Sequence, residues 1–368
     1  MSLRILVVGA GTAGLAAARG LRIAGFRPEV VEALPATTVP GAGIYLPGNA
    51  ARALRLLGLD VPLRPLGDLI FRQVFLDMRG RQLFEMDVAA LWAGVGESRV
   101  LSRGDLQQVL LTGVGGEVRY DTEVTGLEIV EGAAKVEFGT GVVGEYDLVV
   151  GADGRRSTIR SFAGLGGPAV PTGQIVYRAV VTGGPPLTDW TAVLGRRSSF
   201  VAMPMGGRKL YCYADETAPE SPDPQDPVDR LRDLFSGYGG PVPAILEKIE
   251  KVQVARTDEV LLPSWSTGPV VLVGDAAHAT APTLAQGAAM SFEDGWVLGQ
   301  ELRNAKDDIP SALRAFEDRR RPRCNEVRDR TRERDRTRDV PPSLRDPMLR
   351  RRGLRIFTDH YRELVTGV

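Results

Sequence analysis

A glycine-rich turn near the start of the chain constrains the fold more than any other feature of the sequence. Gly9, Gly11 and Gly14 have the spacing G-x-G-x-x-G, between a short apolar run at residues 4–8 and an Ala/Leu-rich helical pattern over residues 12–24. In this context the first glycine allows a tight turn, the second lets the backbone approach a pyrophosphate, and the third lets the helix pack on the strand. The spacing therefore predicts a dinucleotide site at the N-terminus of a helix.

An acidic residue ends the next predicted strand. A second apolar run over residues 28–32 completes a β-α-β unit, and Glu32 is its last residue. A carboxylate at this place accepts hydrogen bonds from the ribose hydroxyls of a bound dinucleotide. We therefore predict that the nucleotide contacts Gly9, Gly11, Thr12, Ala13, Gly14, Glu32 and Ala33. The glycine spacing alone does not separate NAD from FAD.

The composition excludes several other classes of protein. The 368 residues are 43% hydrophobic and 25% charged, with zero net charge, so the chain is globular and has no general attraction to nucleic acid or anionic membrane. A chain of this length predicts more than one domain. Cys212 and Cys324 lie far apart, and His278 and His360 are the only histidines, so neither a disulfide framework nor a metal centre is indicated. We expect a cytoplasmic protein with no metal, nucleic-acid or membrane partner. Nothing in the sequence indicates an oligomeric state.

Two later motifs narrow the choice of cofactor. Residues 147–160 read DLVVGADGRRSTIR and residues 270–282 read VVLVGDAAHATAP, each with an apolar run typical of a buried parallel strand. Together with Arg103 in the segment SRGDL, they resemble, in the same order, the motifs of FAD-dependent aromatic hydroxylases of the p-hydroxybenzoate hydroxylase type. The resemblance spans about residues 3–330. Residues 41–50, which read GAGIYLPGNA, and the predicted strand Ile175–Val181 look most like the single-component branch that includes the salicylate and urate hydroxylases.

The resemblance implies roles for individual residues. Asp275 would bond the flavin ribityl chain, Arg103 would contact the ribityl or pyrophosphate region, and Pro282 would border the isoalloxazine ring. Asp153 and Arg156 would support the pyrophosphate and the nicotinamide donor. The cofactor set also includes Gly274 and a helix N-terminus formed by Gly287, Ala288 and Ala289. Ala285 replaces the first glycine of the family's turn before that helix.

The resemblance also implies the reaction. An enzyme of this family takes electrons from NAD(P)H and, through a flavin C4a-hydroperoxide, transfers one oxygen atom of O2 to a small aromatic or electron-rich substrate. Because the cofactor performs the oxygen transfer, no catalytic side chain is expected. The alternatives are an epoxidase or another flavin oxidoreductase of the same fold, an NAD(P)-dependent dehydrogenase, or a flavin-binding protein without turnover.

Candidate substrate residues lie in predicted antiparallel strands. They are Tyr177, Arg178, Phe200, Met203, Tyr211 and Tyr213, with Pro282 at the flavin. Arg178 either pairs with an anionic substrate or is an ordinary surface arginine, and the aromatic residues either line a pocket or pack in a core. His278, one turn beyond Asp275, either fixes its loop or transfers a proton.

The predicted fold class is α/β, with a discontinuous Rossmann-type FAD-binding domain, an antiparallel β-sheet substrate domain and C-terminal helices. The FAD-binding domain comprises residues 1–68, 98–170 and 266–335. The substrate domain comprises residues 69–97 and 171–265, and residues 336–368 form a C-terminal helical segment. Residues 311–338 alternate Arg with Asp and Glu, which predicts a solvent-exposed helix with i,i+4 ion pairs or a basic patch for a polyanion.

Overall fold

The structure is a computed structural model that describes residues 3–38, 41–115, 118–217, 226–306 and 308–368. The strands are β1 (Ile5–Val8), β2 (Glu29–Val31), β3 (Gly43–Leu46), β4 (Asp68–Leu69), β5 (Arg72–Asp77), β6 (Gln82–Asp87), β7 (Arg99–Ser102), β8 (Val118–Arg119), β9 (Val124–Val130), β10 (Ala133–Phe138), β11 (Val143–Tyr146), β12 (Leu148–Gly151), β13 (Val170–Thr182), β14 (Trp190–Leu194), β15 (Ser198–Pro204), β16 (Lys209–Thr217), β17 (Gln253–Glu259), β18 (Ser266–Thr267) and β19 (Val270–Leu272).

The α-helices are α1 (Thr12–Ile23), α2 (Gly48–Leu56), α3 (Asp60–Leu63), α4 (Val88–Leu91), α5 (Arg103–Val114), α6 (Thr158–Phe162), α7 (Pro227–Phe235), α8 (Val242–Leu246), α9 (Asp275–His278), α10 (Gly287–Ala305), α11 (Ile309–Arg336), α12 (Pro342–Asp359) and α13 (Arg362–Val365). Two 3₁₀ turns occur at Pro282–Leu284 and Thr337–Asp339.

A six-stranded sheet carries the nucleotide motifs. Its order is β18-β19-β12-β1-β2-β8, and every neighbouring pair is parallel except β18 and β19. The carboxyl ends of parallel strands meet at one edge of a sheet, where ligands of such folds bind. The turns that follow β1, β2, β12 and β19 therefore converge, and these turns hold Gly9, Glu32, Asp153 and Asp275. The predicted α/β fold with a Rossmann-type sheet is confirmed.

A seven-stranded sheet forms the second layer of the molecule. Its order is β17-β13-β16-β15-β14-β5-β6, with all neighbours antiparallel except β14 and β5. Strands β5 and β6 form an antiparallel hairpin that turns at Arg79-Gly80, and it extends the sheet that residues 170–259 build. The predicted domain boundaries stay a prediction.

The helices α1 and α10 cross in direct backbone contact. A Cβ atom built on Gly20 or Gly299 would overlap the backbone of the other helix, and one on Gly295 would overlap Ala16. Helix α10 begins at Gly287, where a helix N-terminus is expected, and Ala285 just before it has a left-handed backbone with φ +54°. The family has a glycine at this position. Glycine adopts a left-handed backbone readily, whereas in alanine the Cβ atom makes this conformation less favourable.

The arginine-rich helix differs from its predicted form. Helix α11 has the expected i,i+4 pairs Glu317–Arg321 and Glu326–Arg330, but Arg320 is 0% exposed. Its guanidinium pairs with two carboxylates of α10, so the prediction of a wholly solvent-exposed helix was wrong. The sequence pattern could not reveal this because the partner acids lie on another helix.

The C-terminal helices close over the seven-stranded sheet. Helix α12 crosses β6 where Gly353 meets the ring of Phe84, and Phe357 packs edge-on against Phe75 and Phe84 with ring centroids 4.6 and 4.8 Å away. The C-terminal helices of the predicted fold class are confirmed. No helix in the described ranges is long and apolar enough to cross a membrane.

We expect Gly295→Ala to destabilise the apoprotein by about 1–3 kcal/mol, because the new methyl group overlaps the backbone of α1 and the helices must separate. Gly104→Ala is the matched control, since a Cβ there meets only the Ser102 hydroxyl at 3.8 Å. The control should be neutral or stabilising by about 0.5–1 kcal/mol. Urea unfolding measures both, and equal stabilities of the two variants would contradict the close crossing.

Candidate active site

A cavity of about 550 Å³ lies where the carboxyl edge of the six-stranded sheet meets one face of the seven-stranded sheet. Of the predicted cofactor and substrate residues, those that line it are Gly11, Thr12, Ala13, Arg103, Arg178, Met203, Tyr211, Tyr213, Asp275, Pro282, Gly287 and Ala288. Gly9, Gly14, Gly274 and Ala289 are buried and do not line the cavity. Residues distant in sequence are thus brought into one chamber.

The glycine turn has the geometry that its spacing predicts. A Cβ on Gly9, where φ is +105°, would overlap the carbonyl of Ala152, and a Cβ on Gly14 would overlap the carbonyl of Gly9. A Cβ on Gly11 would meet nothing within 4 Å. The first and third glycines are therefore required by packing, while open space beside Gly11 allows a phosphate group to approach. Helix α1 begins there without a side-chain cap, so its first amides are free.

Glu32 is held in place by backbone amides. One carboxylate oxygen accepts a hydrogen bond from the Ala10 amide at 2.8 Å, and the other accepts one from the Leu34 amide at 2.9 Å. A carboxylate oxygen accepts more than one hydrogen bond, so both retain capacity for ribose hydroxyls. Ala33 is exposed beside Glu32 and does not line the cavity.

Asp153 caps the helix that follows its strand. Its Oδ2 accepts hydrogen bonds from the amides of Thr158 at 2.7 Å and Ile159 at 3.1 Å, whereas its Oδ1 is buried without a partner in the described ranges. Arg156 is exposed and does not line the cavity; its neighbour Arg155 does, and pairs with Asp258 at 3.3 Å. The structure therefore brings Arg155, and not Arg156, to the chamber.

Sequence reasoning missed Arg160, which joins the two later motifs. This side chain is 1% exposed, and its guanidinium donates to the carbonyls of Ala276 at 2.9 Å, Arg155 at 2.8 Å and Gly167 at 3.1 Å. Arg160 thereby fixes the segment after Asp153 to the helix that begins at Asp275. An arginine in the short helix α6 gives no sequence signal of such burial.

The Gly-Asp motif packs against the glycine turn. Gly274 has φ +59°, and a Cβ on it would overlap the Cβ of Ala13. Asp275 begins α9 with its side chain exposed in the cavity and with no hydrogen bond to the described residues. The carboxylate is therefore free to accept hydrogen bonds from a bound polyol.

Arg103 and the start of α10 complete the cofactor side. Burial lowers the pKa of the Arg103 guanidinium from its ordinary value, while Tyr211 and Asp275 act in the opposite direction. Arg103 forms no ion pair with the described residues, so it remains available to an anion. The N-terminus of α10 has no side-chain cap, and Gly287 is exposed in the cavity. These free donors suit a diphosphate and a flavin ring that becomes negatively charged.

His278 faces away from the cavity. Its Nε2 lies 2.6 Å from Oδ2 of Asp294, and it does not line the chamber, which supports the loop-fixing interpretation over proton transfer. His278, Asp294 and Cys324 place potential metal-ligand atoms within 4.8 Å of one another. However, the Arg320 guanidinium donates to Asp294 at 2.8 Å and lies 3.7 Å from the Cys324 sulfur, so a cation already balances this cluster.

The seven-stranded sheet separates the predicted substrate residues into two sets. Arg178, Met203, Tyr211 and Tyr213 line the cavity, whereas Tyr177 and Phe200 lie in a second core on the other face. Tyr177 donates to Glu216 at 2.6 Å there. Because successive strand side chains point to opposite faces, the predicted set could not all line one pocket. The expectation for Tyr177 and Phe200 was wrong.

The C-terminal helices supply a wall that sequence reasoning missed. Met348, Leu349, Ile356, Phe357 and His360 line the cavity opposite the sheet. His360 is 8% exposed, and burial, with the Arg334 charge, lowers its pKa to about 4. Its ring is therefore neutral near pH 7, and its Nδ1 has no hydrogen-bond partner in the described part of the chain. The residue types gave no signal, because apolar positions in a terminal helix are typical of core packing.

The residues present fit FAD. The open space beside Gly11, the unpaired Arg103 and the exposed Asp275 offer a phosphate cradle, a cation and a polyol acceptor in one chamber. Glu32 does not line the chamber but lies beside the glycine turn, where its carboxylate offers an acceptor for a ribose. These groups match the parts of a flavin dinucleotide in chemistry.

Comparison with known proteins agrees with this geometry. The FAD binding domain family model matches residues 2–331. The chain is 32% identical over 332 residues to the aurachin C monooxygenase/isomerase of Stigmatella aurantiaca, with 88% of this chain and 86% of that protein covered. It is 28% identical to the FAD-dependent urate hydroxylase of Mycolicibacterium vanbaalenii, with 90% and 88% covered.

A solved structure has the same architecture. Klebsiella pneumoniae HpxO complexed with FAD and uric acid superimposes with a TM-score of 0.82 at 25% identity, over 99% of this chain and 92% of that chain. The chain therefore belongs to the FAD binding domain family and is an FAD-dependent monooxygenase of the aromatic hydroxylase type.

Proposed function

We propose that this enzyme hydroxylates a small aromatic substrate that carries an anionic group, held on the cavity face of the seven-stranded sheet with Arg178 as its anchor. The observation that carries this proposal is the single chamber that joins the FAD-type residues to Arg178, Tyr211 and Tyr213. NAD(P)H supplies the electrons and O2 the transferred atom, as in the family.

The cofactor residues divide the binding of FAD among them. Gly11 and the first amides of α1 would hold the pyrophosphate, Glu32 the adenosine ribose, and Asp275 the ribityl hydroxyls. When bound, FAD supplies the electron transfer from NAD(P)H and the activation of O2. The protein's own part is to bind the cofactor, orient the substrate and exclude water.

The charge on Arg178 supports an anionic substrate. Its guanidinium lies over the Tyr213 ring, 5.9 Å from the centroid, and pairs with no carboxylate among the described residues. Burial raises the pKa of Tyr211 and of Tyr213 above the ordinary value, so both phenols are protonated at neutral pH. The Tyr213 side chain lines the cavity, and its hydroxyl is buried without a partner in the ranges described.

The remaining walls suit an aromatic ring. Val176, Trp190, Ala192 and Val201 from the sheet, and Leu349, Ile356 and Phe357 from α12, present apolar side chains to the same chamber. An apolar wall binds the ring by burial of its surface and keeps water from the reacting atoms.

We also propose a cytoplasmic location, in keeping with the two cysteines, Cys212 and Cys324, which are buried and unpaired.

We expect Asp275→Ala to weaken FAD binding about five- to hundredfold, because a ribityl hydroxyl that loses its buried acceptor costs about 1–3 kcal/mol. Asp87→Ala, which removes the cap of α4 outside the cavity lining, is the matched control and should bind FAD like the parent. Titration of apoprotein with FAD gives both affinities. An unchanged affinity in Asp275→Ala would exclude the proposed contact.

We expect Arg178→Ala to retain FAD and oxidise NAD(P)H but to release more oxygen as hydrogen peroxide. Loss of a charge-assisted contact worth about 1.5–3 kcal/mol would weaken substrate binding about ten- to hundredfold and leave the substrate poorly oriented. The measurement is the ratio of product to NAD(P)H consumed, at raised substrate levels, with a panel of phenols, N-heteroaromatic compounds such as uric acid, and polycyclic aromatics.

Arg256→Ala provides the control for this experiment. Arg256 is an exposed arginine on the neighbouring strand β17, and it does not line the cavity. The Arg256→Ala variant should couple NAD(P)H oxidation to product formation as well as the parent enzyme does. If Arg178→Ala also keeps the parent's coupling and substrate affinity, Arg178 is not the anchor, and Tyr211 and Tyr213 become the candidates.

A further inference from the structure

We propose that Asp294, which lies outside the cavity, is a positioning residue for the flavin site. It holds the turn Gly274–Asp275 so that the Asp275 carboxylate points into the chamber. The inference rests on the proposed role of Asp275 toward FAD and adds a residue on α10 that none of the motifs includes.

Two contacts of Asp294 hold α9 at both of its ends. Its Oδ2 accepts a hydrogen bond from the Gly274 amide at 2.9 Å, immediately before α9, and lies 2.6 Å from Nε2 of His278, the last residue of α9. Asp294 is 0% exposed, so no water competes for these bonds. Asp275 lies between the two contacts and is the only residue of α9 that lines the cavity.

The charge of Asp294 is balanced inside the protein. The Arg320 guanidinium, also 0% exposed, donates from Nε to Oδ1 at 2.8 Å. Burial alone would raise the pKa of Asp294, but His278 and Arg320 outweigh it and lower the pKa to about 2. The side chain is therefore a carboxylate, which accepts the Gly274 hydrogen bond strongly.

The neighbouring acid Glu293 serves a different part of the molecule. It is also 0% exposed and pairs with Arg320 at 2.7 Å, but its other partners are Arg323, at 2.7 and 2.9 Å, and Arg52, at 4.0 Å. Arg323 in turn donates to the carbonyls of Glu363 and Leu364 near the C-terminus. Glu293 thus ties down the C-terminal segment and has no hydrogen bond to α9, so it is a matched control for Asp294.

The turn that Asp294 holds packs tightly against the start of α1 and against α10. Gly274 has a left-handed φ of +59°, and its Cα lies close enough to Ala13 and Ser291 that a Cβ would overlap one and approach the other to 2.9 Å. A small displacement of Gly274 therefore moves Asp275 relative to the start of α1, where the pyrophosphate would bind. This makes the affinity for FAD sensitive to Asp294, although Asp294 does not line the cavity.

The test compares Asp294→Asn with Glu293→Gln as full-length apoproteins. We measure FAD affinity by quenching of flavin fluorescence and the free energy of unfolding of each apoprotein in urea. Both variants leave part of the charge on Arg320 unbalanced, so both lose stability. Asp294→Asn should weaken FAD binding about tenfold or more, and Glu293→Gln less than about threefold. Parent-like FAD affinity in Asp294→Asn, or equal weakening in both variants, would overturn the proposal.

A second pair of variants applies if Asp294→Asn does not fold. His278→Gln keeps a donor near the Nε2 position, whereas His278→Phe keeps the ring volume and removes the donor. We expect His278→Gln to retain FAD affinity and His278→Phe to weaken it about threefold to tenfold. Equal FAD affinities in His278→Gln and His278→Phe would overturn the proposal.

Asp275→Ala distinguishes this proposal from the proposed function. If Asp275→Ala weakens FAD binding and Asp294→Asn does not, only the positioning role fails. If neither variant changes FAD affinity, the assignment of Asp275 to the cofactor fails with it.

Discussion

Backbone contact between α1 and α10 is the interaction on which the cofactor chamber depends. The two helices approach until their backbones are in contact, which is possible because the crossing residues are glycines: Gly20, Gly295 and Gly299. Helix α1 carries the glycine turn at its N-terminus, and α10 carries both the amides that face the chamber and the carboxylate that holds the Gly-Asp turn. A wider crossing would move these groups apart, so the glycines set the width of the cofactor site.

Buried charged side chains fix the segment after β12 and helix α9, which the glycine contacts between α1 and α10 do not hold. Arg160 binds the segment after β12 to α9, and the Asp294–Arg320 pair binds α9 to α10 and α11. Such pairs contribute less to net stability than their distances suggest, because desolvation offsets most of the attraction. Their main effect is to define one geometry for turns that come from distant parts of the chain.

Much of the cofactor side of this site could be predicted from the sequence, because its constraints are local. The spacing of Gly9, Gly11 and Gly14 reports a turn between neighbouring elements, and the acids after β2 and β19 follow apolar runs that are readable as strands. The substrate side was less readable. Tyr177 and Phe200 were assigned to the pocket by residue type, although the period of two along β13 and β15 separates them from Arg178 and Met203. The burial of Arg320 and the wall formed by α12 depend on contacts between distant segments, which no local pattern records.

Above all, this chain holds FAD and uses it to activate O2. The most direct measurement is the absorbance spectrum of the purified protein, followed under anaerobic conditions by NADH or NADPH with the aromatic panel present, and then by admission of air. We predict flavin bands that bleach on reduction and return with O2. Protein that contains NAD and no flavin absorbance, or a flavin that neither nicotinamide reduces in the presence of any panel compound, would contradict the account.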